Sequence, residues 1–165
     1  MALIDGLLQE LEQEARTTRR VLERVPNDKL NWRPHPKSRT LGELAFHIAT
    51  TPGGVAQFAI PDSVQAPDFT ESSPESSAEL LTALDESVAK AKEVLGGMDD
   101  EKLMATWRMM RGERELLALP RIAVLRSIML NHWYHHRGQL SVYLRELDVA
   151  IPSIYGPSAD ENVVA

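Results

Sequence analysis

Three of the five histidines of this chain fall in the single run NHWYHHRGQL, and their spacing is the first feature with chemical content. His132 and His136 are four positions apart, which on a helix places both imidazoles on one face, close enough for adjacent positions on one metal ion. His135 points elsewhere. His47 follows Leu44 by three positions and lies beside Ile48, so its side chain leans toward the inner side of its own helix and offers a third imidazole. Three neutral imidazoles leave at least one position of a tetrahedral metal open, as in catalytic rather than closed structural zinc sites. The same spacing also fits packed bundle histidines bonded to helix carbonyls or acids. The chain has no cysteine, which removes disulfides, thiolate ligands and a cysteine nucleophile together. A metal site must then draw on His, Asp, Glu or backbone oxygen.

Other residues near these histidines carry two readings each. Gln139, three residues after His136, can hydrogen-bond a ligand or a metal-bound water, or stand as a solvated amide. Arg137 and Arg126 can grip an anionic substrate, but charged residues on amphipathic helices are more often solvated or paired with acids. Trp32, Trp107, Trp133 and Tyr134 can line a pocket, although in a small bundle aromatic side chains more often serve the core or a dimer contact. Glu43 is explained by a helix cap and is not nominated as catalytic.

These residues need a scaffold, and 165 residues with 43% hydrophobic content suffice for one core and one domain spanning 1–165. A net charge of -6 argues against a nucleic-acid footprint. No apolar run approaches the roughly 20 residues of a membrane span, and the start MALIDGLLQELEQEA has acids where a secretory signal is basic and apolar. A cytoplasmic protein without membrane or nucleic-acid partners is expected. Helical spacing predicts a first amphipathic helix over 3–25 and a loop to Arg39 marked by Pro26, Pro34 and Pro36. Thr40 with Glu43 forms a capping box that starts a second helix. The Pro-, Ser- and acid-rich segment 61–77 reads as a crossover connection with too little apolar content to order as an element. A third helix runs over 78–95 before Gly96 and Gly97. Residues 98–119 mix a short helical turn, a strand-like run and a turn at Gly112. A long final helix follows, with Pro120 in its first turn and its end near Asp148, and the tail from Ile151 is extended or irregular. Four amphipathic segments predict an all-α four-helix bundle with a long crossover connection, an orthogonal all-helical fold being the alternative.

The segments TLGELAFHIA around His47 and NHWYHHRGQL around His132 and His136 resemble two separated signatures of the DinB-like (DinB/YfiT) metalloprotein family, and the ending PSIYGPSADE is similar to family members. The resemblance implies a DinB-like helical bundle, commonly dimeric, with a three-histidine metal centre. Carried over by position, His47, His132 and His136 are the metal ligands, while His35 and His135 have no ligand role. The expected cofactor is a divalent transition metal, zinc or nickel, since imidazole suits several such ions. The function expected is a metal-dependent enzyme, first a thiol-dependent transferase acting on small molecules with a low-molecular-weight thiol as partner, as some relatives imply. A metal-dependent hydrolase is the alternative reaction, and a non-enzymatic metal-binding or protein-interaction module is the alternative of a different class. A homodimer is expected from the resemblance alone.

Overall fold

The computed structural model describes residues 2–68, 70 and 72–162. Helix α1 (Leu3–Leu22) turns Ile4, Leu7, Leu11, Val21 and Leu22 inward at helical spacing, and it ends three residues before the expected Val25. The Pro-containing loop that follows holds a single 3-10 turn at Asn27–Lys29. Helix α2 (Leu41–Phe58) starts as its capping box dictates: Thr40 Oγ1 accepts the Glu43 amide at 3.1 Å and the Glu43 carboxylate accepts the Thr40 amide at 2.6 Å. Helix α3 (Ser77–Gly96) packs against α1 and α2. Its approach to α2 depends on Gly53, where an added Cβ would sit 2.8 Å from the Ser87 carbonyl oxygen.

The all-α expectation holds only in coarser form, because the mostly helical fold also carries a small sheet. After α4 (Asp100–Met104), capped by the Asp99 carboxylate on the Lys102 amide, the chain forms β2 (Thr106–Arg111) and β3 (Arg114–Pro120). These two strands are antiparallel, with Arg111 opposite Arg114 across a turn whose first residue, Gly112, has φ 59°. Glycine is the residue that takes this left-handed conformation at low cost. The predicted connection 61–77 contains β1 (Ser63–Gln65), which runs parallel to β2 with Val64 opposite Met109. Its own apolar content is low, as read from the sequence, but its backbone bonds are supplied by β2, so order arises from pairing. Segment composition cannot register that. The expected short helical turn, strand-like run and Gly112 turn of residues 98–119 are all present.

The last helical run begins at Arg121, not Pro120, which closes β3 and stands just outside the helix. It comprises α5 (Arg121–Val124), a π-helix (Leu125–Asn131) and α6 (His132–Glu146). Asp148, at φ 56°, ends it: the amides of Asp148 and Val149 return to the carbonyls of Arg145 and Leu144, a Schellman closure. From Ile151 to Asn162 the chain has no helix or strand, as expected. Arg121 is fully buried and joins the sheet end of the molecule to α2, donating to the carbonyls of Ala59, Lys102 and Pro61 and to the Asp62 carboxylate. The bond to Ala59, at 2.6 Å, satisfies one of the carbonyls that a helix end leaves without a partner. One apolar cluster, including Leu11, Ile48, Leu84, Leu103, Met129 and Trp133, is shared by α1, α2, α3, α4, the π-helix and α6. Among the described residues no helix is long and apolar enough to cross a membrane.

Candidate metal centre

His47 lies in the second turn of α2, and His132 and His136 lie one turn apart at the start of α6. A break in α2 holds these two elements in register. Pro52 has no N–H, so the carbonyl of Ile48 loses its helical donor. Trp133, buried and next to His132, fills the gap by donating Nε1–H to Ile48 O at 2.8 Å, and Ile48 is next to His47. The Gly53 amide meanwhile donates to Ser87 Oγ of α3 at 2.8 Å. One proline thus converts a helix-internal bond into a tie between the two halves of the histidine cluster. Thr51 adds a local brace, its hydroxyl donating to the His47 carbonyl at 2.6 Å. The π-helix ends where the histidine pair begins, and its wider turn puts Ile128 beside His132 on the same cavity wall.

The three imidazoles converge. One ring nitrogen from each lies within 4.8 Å of the others, with ring centroids 5.1 Å apart for His47 and His132, 4.6 Å for His47 and His136, and 4.4 Å for His132 and His136. His136 Nδ1 faces Gln139 Oε1 at 2.7 Å and its Nε2 faces His132 Nε2 at 2.8 Å. A proton on Nδ1, donated to Gln139, leaves the His136 Nε2 lone pair directed into the cluster. His47 Nε2 is buried without a hydrogen-bond partner among the described residues. Burial holds His47 down at about 3, helped by the positive charge of Arg39 and by the other two histidines. Burial also pushes His136 down to about 4 against the opposing bond to Gln139, and burial with the Arg39 charge lowers His132. All three are therefore neutral at pH 7 and present the lone pairs that a cation needs. A divalent metal fits this donor set on two counts: the nitrogens are neutral, and a buried one among them is unsatisfied.

A cavity of about 650 Å³ opens from the cluster and is lined on one side by His47, Thr50, Thr51, Gly54, Val55 and Phe58. Their spacing is that of one continuous helix face. Met109 of β2, Pro67, Ile128, His132 and Arg39 complete the wall. His136 is not part of it, so the cluster meets the cavity through His47 and His132. No carboxylate is among the lining residues described.

The remaining candidates take structural roles. Glu43 caps α2. Arg137 is buried and bonded to the Glu14 carboxylate at 2.5 Å, Thr18 Oγ1 at 3.0 Å and the Tyr155 hydroxyl at 2.5 Å, so it does not serve as an anion grip. Arg126 and Tyr134 both bond the Glu10 carboxylate. Trp107 is buried with Nε1–H on Phe58 O at 3.2 Å, and Trp32 packs edge-on against Tyr143. None of the four aromatic candidates lines the cavity, which agrees with the core reading. His35 is exposed and accepts the Lys37 amide within its own turn, while His135 is exposed on α6. Sequence reasoning missed Arg39, Gly54 and the Pro52 to Trp133 tie; a Pro-Gly-Gly run inside an otherwise helical segment was the available signal for the last two.

Comparison with known proteins agrees with this architecture. A sequence model described as the DinB superfamily matches residues 10–140. An uncharacterised protein of Bacillus subtilis, YrdA, is 23% identical over 162 residues, covering 96% of this chain and 91% of that protein. Among solved structures, a DinB-like protein from Bacillus cereus superposes with a TM-score of 0.71 at 24% identity, over 92% of this chain and 97% of that one. A second, YjoA from Bacillus subtilis, superposes with a TM-score of 0.69 at 21% identity, over 90% and 97% of the two chains.

Proposed function

The chain belongs to the DinB superfamily, and from that membership and its histidine cluster we propose that it is a metal-dependent, thiol-dependent transferase acting on small molecules. His47, His132 and His136 would hold the ion, zinc or nickel by preference, with Gln139 fixing the His136 tautomer. A cation there supplies Lewis acidity, favouring the conjugate base of a thiol or water at neutral pH. The protein's own part is to keep three imidazoles neutral and to open the cluster toward a cavity of substrate size. The overall reaction forms a bond from the thiol sulfur to an electrophilic carbon. The bond from that carbon to its leaving group breaks, the leaving group takes the electron pair, and the thiol proton passes to solvent.

The observation that carries the choice of a thiol over water is the absence of a carboxylate among the described residues lining the cavity. Hydrolysis by activated water generally uses a nearby general base, whereas a thiol brings its own nucleophile. A structural metal site would normally add a fourth protein ligand, and the cluster offers three. A single domain, a homodimer and a cytoplasmic location belong to the same reading.

Elemental analysis of dialysed wild-type protein and of His47→Ala, His132→Ala and His136→Ala, each checked for folding, tests the ligand set. About one metal per chain, lost in all three variants, is expected. No metal after reconstitution with zinc or nickel overturns it. On the loaded protein, consumption of 2-mercaptoethanol with an alkyl halide, absent from His47→Ala, tests the reaction, and ester hydrolysis without thiol consumption would move the reading to a hydrolase.

A further inference from the structure

The cavity beside the histidines is shaped by an omission. Along the face of α2 that runs from His47 through Thr50, Thr51, Val55 and Phe58, the one position without a side chain is Gly54. Helix geometry does not ask for glycine there, since a helix interior favours almost any residue over glycine except proline. Packing does not ask for it either. A Cβ at Gly54 meets nothing within 4 Å, whereas one at its neighbour Gly53 would collide with the Ser87 backbone. The two glycines of one Pro-Gly-Gly run thus differ: Gly53 is buried and required by the contact between α2 and α3, whereas Gly54 is exposed, lines the cavity and borders open space.

The space has a defined chemistry. Gly54 is seven residues from His47, about 10 Å along the helix axis at the usual rise per residue. Thr50 and Thr51 stand between these positions on α2; Val55 and Phe58 flank Gly54 on its far side, and Met109, Pro67 and Ile128, contributed by β2, the chain after β1 and the π-helix, add apolar wall. The sheet closes this side, with β1 the strand that the sequence pattern did not announce: Val64 of β1 stands opposite Met109 of β2, and the Ala66 amide donates to the Met110 carbonyl at 2.7 Å, fixing the path into Pro67. The cavity therefore has a polar side, where His47, His132, Thr50, Thr51 and Arg39 stand, and an apolar arm formed by Val55, Phe58, Met109, Pro67 and Ile128.

We propose that this arm is the subsite for an apolar aryl or short alkyl group of the electrophilic substrate, and that Gly54 sets the largest group it accepts. The assignment rests on the transferase reading for the identity of the reacting end, but the size selection by Gly54 is a property of the cavity alone. An apolar group entering the arm leaves water for Val55, Phe58, Met109 and Ile128, and each added methylene should tighten binding about fourfold until the arm is full. A side chain at Gly54 takes the same volume, so it competes with the ligand without disturbing the fold.

Ligand-observed NMR with thioethers of 2-mercaptoethanol carrying a methyl, butyl or benzyl group tests this on metal-loaded and metal-stripped protein. These are unreactive stand-ins for products that differ only in the arm. Wild type should bind the benzyl and butyl compounds at least about tenfold more tightly than the methyl compound. Gly54→Leu should abolish that preference, Gly54→Ala should keep part of it, and both should melt no lower than wild type and retain wild-type metal content. Equal binding of methyl and benzyl compounds by wild type, or an undiminished benzyl preference in Gly54→Leu, overturns the proposal. A preference that obeys Gly54 in a protein binding no metal would sustain the subsite and overturn the metal reading; bound metal without any arm preference would do the reverse.

Discussion

Two buried polar clusters sit one residue apart on α6 and follow opposite rules. His136 joins His47 and His132 in a group with a buried nitrogen on His47 that has no partner among the described residues. Arg137, the next residue, enters a network in which Glu14, Thr18 and Tyr155 meet its guanidinium, with the rings of Tyr134 and Tyr155 5.3 Å and 5.1 Å from it. The network around Arg137 is satisfied by the protein itself and ties α1, α6 and the C-terminal segment together. The histidine cluster is not, since His47 Nε2 lacks a partner among the described residues, and burial that lowers all three imidazoles keeps them uncharged. A buried polar group with its partners present reads as structure, and one without them reads as a place kept for a ligand.

The sharpest way to break this contrast is to remove one member from each side. Arg137→Ala leaves the buried Glu14 carboxylate without its cation, bonded to the Tyr155 hydroxyl at 2.9 Å, and should lower stability by about 3–5 kcal/mol. His47→Leu removes an unsatisfied nitrogen and keeps the volume, so the metal-free protein should melt at or above the wild-type temperature while the rise in melting temperature on adding zinc disappears. A His47→Leu variant that unfolds like Arg137→Ala would place both clusters in one structural class.

Acid should separate the two next. The histidines titrate near 6.5 in the unfolded chain but at about 3 for His47 and about 4 for His136 in the folded protein. Below pH 6.5 the unfolded state therefore binds protons that the folded state refuses, so stability falls as pH drops through that window toward 4. Thermal melts of metal-free wild type should show this loss, and His47→Leu should show less of it. Identical acid profiles would mean that His47 is not held neutral by the fold.

Trp133→Phe probes the tie between the halves. It leaves the buried Ile48 carbonyl without its donor and should cost about 1–3 kcal/mol, with weaker zinc binding measured by competition with a chromophoric chelator. The smallest effect is expected from Gln139→Leu, which should lower zinc affinity about tenfold with little change in the metal-free melting temperature. Unchanged affinity there would remove Gln139 from the tautomer assignment.

How much was legible in advance varied with the range of the interaction. The caps, the helical faces and the pairing of His132 with His136 follow from spacing, because residues four apart share a face in any helix. That Arg137 belongs with Glu14 was illegible, since 123 positions separate them and only the packing of α6 on α1 brings them together. The strand β1 was missed because its partner lies more than forty residues away and its own composition is polar.

The sequence by itself determined the local events: which segments are helical, where Thr40 and Glu43 cap α2, which faces are apolar, and which imidazoles can act together on one helix. Motif likeness added His47 to the pair. Only the tertiary structure decided that His47 meets His132 and His136, that Pro52 frees Ile48 for Trp133, and that Gly54 borders open space while Gly53 borders Ser87. The physical reason is that a side chain's chemistry is set by what surrounds it, and those surroundings are assembled from residues that the chain order keeps far apart.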